Sequence, residues 1–230
     1  MEVNILQLVE GAKAARGVTV IIDVFRAFSL EAYMLDSGVE YIYPVGEVKE
    51  AYEMKNEHPE WILAGERGGA ILEGFDTGNA PSQLHKLSLA GKTVVHTTSA
   101  GTQGVANAKQ ADEIIGAGLV NARATAEYIR NSGAEKVSLV CMGLEAKEPT
   151  EEDTLCARYI KAILDGNESD INMAAEIESL KVTSGAKFFD VNQSHIFPTE
   201  DFYMCVDVDK FNFAIRYDAE KKRMYKGDLS

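Results

Sequence analysis

Cysteine is scarce in this chain, and what there is follows no pairing pattern. Cys141, Cys156 and Cys205 are odd in number and widely spaced, so no disulfide framework is implied. No CxxC couple occurs, which removes the common zinc patterns. The three thiols read as reduced and buried. Long apolar runs are missing too: nothing approaches the roughly 18 residues that a membrane span needs. The first twenty residues mix Glu2, Glu10, Lys13 and Arg16 with apolar positions, which is not the layout of a signal peptide. The expectation is a soluble, cytoplasmic protein. Basic charge is in short supply, with 23 Lys and Arg against 36 Asp and Glu and a net charge of −13. Such a surface repels nucleic acid and anionic lipid, so neither is an expected partner. An anionic ligand would then need positive charge supplied locally, by arginines, helix N-termini or a metal. The four histidines, His58, His85, His96 and His195, form no HxH or HExxH group. His96 sits in an apolar stretch and reads as a packed, satisfied side chain. No Gly-x-Ser-x-Gly elbow is present, which weakens a serine hydrolase reading.

What the chain does have is alternation. A β-branched run at 19–23, apolar on both faces, predicts a strand covered by helices on either side. A helix follows at 27–37, closed by Gly38. Strand 41–45, helix 48–56 and strand 61–64 come next. The rhythm resumes with strand 93–97, helix 101–108, strand 113–116, helix 123–131, strand 137–142 and helix 151–164. Strands alternating with helices imply βαβ units and a mostly parallel sheet. Residues 171–180 look helical, and strands near 211–217 and 223–226 could pair through 218–222. No repeat or low-complexity segment is visible. The chain reads as one α/β domain over 1–230, with 166–170 as the place where a sub-domain junction would fall.

Residues 65–81 break the rhythm. They hold Gly65, Gly68, Gly69, Gly74 and Gly78 without a sustained period. A loop this long inside a compact domain is usually functional or disordered, and Ile71, Leu72 and Phe75 argue against disorder. Glu66, Arg67, Asp76 and Asn79 lie among these glycines. Their oxygens suit Mg²⁺, although Asp and Asn in such a loop also build local turns.

Ligands of open α/β sheets bind at the carboxyl ends of strands, so the strand ends carry the next candidates. The first strand ends in Asp23-Val24-Phe25-Arg26-Ala27. Asp23 there could hold a metal, attack phosphorus or merely cap the next helix. Arg26 offers a planar fork to phosphate, carboxylate or sulfonate. Phe25 stands where haloacid-dehalogenase-type phosphatases need a second Asp, which excludes that family. The strand at 93–97 runs into Thr97-Thr98-Ser99-Ala100-Gly101-Thr102. Small hydroxyl residues and glycine opening a helix make an anion cradle, or a simple cap through Thr98 or Ser99. No Gly-Lys-Ser/Thr follows, so this is not a Walker loop. After the strand at 137–142 come Thr150-Glu151-Glu152-Asp153. Thr150 and Asp153 fit a capping-box spacing with Asp in place of Glu. Glu152 or Asp153 could instead supply a metal ligand at the same rim. Cys156, one turn on, reads as core.

Taken in order, Asp-Val-Phe-Arg-Ala, Gly-Glu-Arg-Gly-Gly, Gly-Phe-Asp-x-Gly-Asn-x-Pro, Thr-Thr-x-x-Gly-Thr and Glu-Asp-x-x-Cys-Ala resemble the 2-phosphosulfolactate phosphatase family. The match runs from about Val20 to Ala157, and its most specific part is the block Gly65 to Pro81. Members often read Thr-Asn-Gly-Thr where this chain has Ser99-Ala100-Gly101-Thr102, which removes an Asn side chain from the cradle. The resemblance implies a three-layer α/β/α fold. It also implies a Mg²⁺-dependent phosphatase converting 2-phosphosulfolactate to sulfolactate and inorganic phosphate, a step of coenzyme M biosynthesis. Carried onto this chain, it marks Asp23, Arg26, Glu66 and Arg67 as catalytic candidates. Asp76, Asn79, Thr98, Ser99, Gly101 and Thr102 become substrate-binding candidates, and Asp23, Glu66, Glu152 and Asp153 metal-ligand candidates. The expected partner is a small anionic phosphate ester. A homo-oligomer is compatible with the sequence, which specifies no oligomeric state. Two other readings stay open: a phosphatase for another small anionic ester, and a non-catalytic module that binds a small anion.

Overall fold

The computed structural model describes residues 1–229. Strand β2 (Gly17–Ile22) is buried along all six of its residues. Successive side chains of a strand point to opposite faces, and β2 obeys this. Val18, Val20 and Ile22 enter one apolar cluster while Ile21 enters another. On the first face lie helices α5 (Ala122–Ser132) and α6 (Glu151–Asp165), which contribute Ala126, Ile129, Cys156 and Ile160. On the second lie α2 (Ala27–Asp36) and α4 (Gly101–Asn107), which contribute Phe28, Leu30 and Val105. The result is the expected three-layer α/β/α arrangement. All three cysteines are free and buried. No helix among the described residues is long and apolar enough to cross a membrane.

The sheet has ten strands and stays mostly parallel, though not simply wound. Strand β1 (Glu2–Gln7) pairs with β8 (Lys136–Cys141), β8 with β2, and β2 with β7 (Ala111–Ala117), all in parallel. A second parallel group contains β3 (Tyr41–Pro44), β6 (Thr93–Thr97) and β4 (Ile62–Arg67). Between the groups sits the C-terminal hairpin β9 (Ala214–Asp218) and β10 (Arg223–Gly227), antiparallel to β7 on one side and to β3 on the other. A short strand β5 (Ala70–Ile71) folds back antiparallel on β4. The hairpin is the one expected from its alternation. Its insertion into the middle of the sheet was not foreseen, nor were β1 and helix α1 (Leu8–Ala14).

Two details fix the frame around the site. Helix α6 ends at Gly166 with φ 78°, a left-handed cap that favours glycine. A one-turn helix at Glu168–Asp170 and then α7 (Met173–Leu180) follow. The chain next returns as an irregular stretch, with one turn at Ala186–Phe189, to α8 (Thr199–Cys205). Phe188 and Phe202, both almost fully buried, anchor this return against the α5/α6 face. Helix α3 (Val48–Glu57) closes a smaller cluster in which Val45, Leu63, Phe75 and Val95 meet.

Candidate active site

Asp23 ends β2 and carries the site. One carboxylate oxygen accepts the backbone N–H of Ala27 at 3.1 Å, the other that of Gly101 at 2.8 Å. It therefore caps α2 and pins the start of α4 at once. The approach is close: a Cβ on Gly101 would lie 2.7 Å from Ala27 Cβ and 2.9 Å from Asp23 Oδ2. Burial, and then the charges of Glu66 and Glu152, push the Asp23 carboxyl up to about 6 despite the N–H bonds it accepts.

Glu66, in β4, is spread across two loops. Oε1 accepts Ser99 N–H at 2.7 Å and Oε2 accepts Gly69 N–H at 2.7 Å. Glu152, in the first turn of α6, is 3% exposed, and its Oε2 has no hydrogen-bond partner among the described residues. Burial raises its pKa above the ordinary carboxylate value. Asp23, Glu66 and Glu152 line one cavity of about 120 Å³, together with Ser99, Arg26 and Lys187. That is small beside drug-sized clefts and suits a small ligand. A second cavity of about 210 Å³ shares Arg26, Gly69 and Asn79 with the first and adds Gln83 and His195.

Lys187 was not among the sequence candidates. Its ammonium lies 5.3 to 5.9 Å from the ring centroids of Phe197, Phe188 and Phe25. Among the described residues it has no carboxylate within 4.0 Å. Burial, which it shares with these rings, lowers its pKa. Arg26 also faces the cavities but is already committed. It pairs with Asp201 at 2.7 Å, with the two side chains 3% and 0% exposed, and donates to the Ile196 carbonyl at 3.0 Å. Asp201, on α8, additionally accepts Ser82 N–H at 2.9 Å. It too escaped the sequence reading, because nothing local marks a residue 175 positions from its partner.

Other candidates fall outside the cavity. Arg67 turns away from it, donating to the carbonyls of Glu66 and Gly46 and to Thr97 Oγ1 at 2.7, 3.0 and 3.0 Å. Asp76 accepts Leu63 N–H at 2.8 Å and meets Lys55 at 3.4 Å, so it shapes the glycine-rich loop. Thr98 and Thr102 are buried and bond to each other's backbone, Thr98 N–H to Thr102 Oγ1 at 3.0 Å and Thr102 N–H to Thr98 Oγ1 at 3.2 Å. That is the capping alternative. Asp153 is likewise saturated, accepting Val24 and Gly143 N–H groups at 2.8 Å each. It ties β2 to the loop after β8.

Asp23, Glu66 and Glu152 share one small cavity, burial raising the pKa of Asp23 and of Glu152 and leaving Glu152 with a bare buried oxygen, and this set fits a divalent cation. No three His, Cys, Asp or Glu side chains among the described residues lie close enough to clasp an ion by themselves. Mg²⁺ does not require that, since it keeps several waters and takes one or two carboxylates plus substrate phosphate. A larger depression, about 820 Å³, lies elsewhere, beside α3 and the β9/β10 hairpin. Its half-buried Arg216 is already paired with Glu113 at 2.9 Å, so the smaller cavity is where buried, unspent polar groups converge.

The chain matches the family model described as 2-phosphosulpholactate phosphatase over residues 3–220. A Bacillus subtilis protein named as a probable 2-phosphosulfolactate phosphatase is 30% identical over 224 residues, 96% of each chain. One of the same name from Caldanaerobacter subterraneus subsp. tengcongensis is 33% identical over 84% of each chain. Another from Carboxydothermus hydrogenoformans is 36% identical over 71% of this chain and 68% of its own.

Proposed function

This chain belongs to the 2-phosphosulfolactate phosphatase family and is a phosphoric monoester hydrolase, and from that premise we propose that it dephosphorylates 2-phosphosulfolactate, or a closely similar phosphorylated 2-hydroxy acid, with Mg²⁺ as cofactor. The products would be the free hydroxy acid, sulfolactate for the first substrate, and inorganic phosphate. The observation that carries this reading is the small cavity in which Asp23, Glu66 and Glu152 meet the unpaired ammonium of Lys187. A pure anion binder has little use for three converging carboxylates.

Phosphoryl transfer asks for alignment and charge neutralisation more than for covalent chemistry. Lys187 and the outward edge of Arg26 would hold anionic oxygens of the substrate. The backbone amides of Gly69 and Ser99 are spent on Glu66, which leaves those of Gly68 and Ala100 beside the same space to fix the phosphate's orientation. Asp23, Glu66 and Glu152 would hold Mg²⁺, which when bound neutralises phosphate charge and makes a bound water more acidic. Asp23 has one lone pair of each oxygen spent on an N–H donor. The remaining lone pairs would serve the metal, with water as the nucleophile, or attack phosphorus directly. The aromatic rings around Lys187 keep bulk water from this end of the cavity.

The test is phosphate release from 2-phosphosulfolactate and 2-phospholactate, with Mg²⁺ and then with EDTA. The reading expects Mg²⁺-dependent release that prefers the sulfonated ester. Equal release from both would leave the chemistry and change the substrate. Folded protein that releases phosphate from neither would sink the assignment.

A further inference from the structure

Behind the cavity wall runs a chain of three buried polar side chains. Glu31 lies on α2, His96 on β6 and Asn79 in the glycine-rich block. His96 Nδ1 is 2.8 Å from Glu31 Oε1, and Nε2 is 2.9 Å from Asn79 Oδ1. Glu31 and His96 are fully buried and Asn79 is 4% exposed. Asn79 lines both cavities, and its Nδ2 has no hydrogen-bond partner among the described residues. No part of the mechanism above uses His96 or Glu31.

A carboxamide has a donor end and an acceptor end of nearly equal shape, so the proton count decides which one faces the cavity. Three arrangements share this geometry. In the first, neutral His96 donates from Nε2 to the Asn79 carbonyl while Nδ1 accepts a proton from Glu31. In the second, that proton sits on Nδ1 and an imidazolium faces a carboxylate. Both are neutral as a pair, and both turn the Asn79 NH₂ toward the cavities. In the third, Nδ1 donates to a carboxylate, Nε2 is bare and Asn79 turns its carbonyl to the cavities. This last leaves a net negative charge on groups with no solvent access. Glu31 Oε2 has no partner to share that charge. An uncompensated buried carboxylate is the expensive state, and burial already raises the Glu31 pKa. The first two arrangements therefore prevail.

We propose that Glu31 and His96 are positioning residues that lock the Asn79 carboxamide with its NH₂ toward the two joined cavities, as a hydrogen-bond donor to an anionic oxygen of the substrate. The identity of that oxygen rests on the phosphatase reading, while the orientation of the amide does not.

The orientation is read directly on the intact wild-type chain by long-range ¹H–¹⁵N NMR of ¹⁵N-histidine protein. A proton on His96 Nε2 at neutral pH is expected, and a bare Nε2 overturns the proposal. Kinetics read the consequence. His96→Phe and Asn79→Ala should each lower kcat/KM for phosphate release by about 10- to 100-fold, the usual cost of one hydrogen bond to a charged group. The double variant should be no worse than Asn79→Ala, because His96 acts only through that amide. Independent, multiplying losses would refute this. Glu31→Leu, which leaves Nδ1 without the partner that fixes the tautomer, should lower kcat/KM, and Glu31→Gln, which keeps a donor for Nδ1, should recover most of the loss. A Gln variant as poor as Leu counts against the proposal, and this comparison with the NMR decides the matter if His96→Phe does not fold. Wild-type protein without phosphatase turnover would defeat the proposed function and leave the NMR result to judge the amide.

Discussion

Asp201→Ala tests how the site is braced. The substitution leaves the Arg26 guanidinium in a place where its side chain is 3% exposed and removes the acceptor for Ser82 N–H. Breaking a buried ion pair from one side costs about 3–5 kcal/mol, because the remaining charge is stranded. The Phe197 and Phe188 rings, 5.0 and 5.8 Å from Arg26, return part of that through cation–π attraction, which sets the expectation at the lower end. For a chain of 230 residues, an unfolding entropy near 2.1 cal/mol/K per residue makes each kcal/mol worth about 2 °C. Asp201→Ala should then lower Tm by about 6 °C or more. It should shift the urea midpoint without changing the slope of the transition. Asp201→Asn keeps one acceptor for two donors and should fall in between. A Tm loss below about 2 °C for the Ala variant would mean that water reaches Arg26, and the buried-brace argument would be wrong.

Gly101→Ala places a methyl group 2.7 Å from Ala27 Cβ. It should destabilise by about 1–3 kcal/mol, as overpacking does, and cut turnover by displacing Asp23; thermal unfolding with phosphate release checks both. Lys187→Met should keep the circular dichroism of the wild type and lower kcat/KM by about 10- to 100-fold, and unchanged kinetics would remove Lys187 from the site. Metal-free protein should show an acid-stabilised window. Asp23 titrates near 6 when folded and near 3.8 when unfolded, so the native state binds the proton more tightly. Stability from this group is therefore lowest at neutral pH and rises as pH falls from about 7 to about 4, by about 3 kcal/mol at most. Glu152 and Asp153, also raised by burial, act in the same sense. Chemical unfolding in EDTA over this range measures it; a metal-free protein that is most stable at pH 7 would contradict the sign, and Mg²⁺ added at pH 7 should restore stability.

How legible the site was depends on residue type and distance. Strand β2 announced itself because both of its faces are apolar, and the hairpin because its sequence alternates. Strand β1 gave no such signal: it is an edge strand that pairs on one side only, with β8, and its residues are intermediate or exposed, so its place depends on tertiary pairing. Lys187 and Asp201 lie in the stretch after α7, where no period guides the eye. Their importance comes only from what they meet in space.

The position of Arg67 outside the cavity is different, because the sequence held the means to anticipate it. Glu66 and Arg67 were both read as facing the ligand on the strength of a shared glycine-rich motif. Yet both belong to β4, and neighbours on a strand point to opposite faces. If Glu66 faces Ser99 and the cavity, Arg67 has to face the other way, toward Gly46 and Thr97, as it does. The same logic separates Glu152 from Asp153 on α6. Successive helix positions are about 100° apart, so one carboxylate reaches the cavity while the other turns back to Val24 and Gly143. With Arg67 outside the cavity and Arg26 tied to Asp201, the cavity-lining cation without a carboxylate partner among the described residues is Lys187, which lies outside every motif.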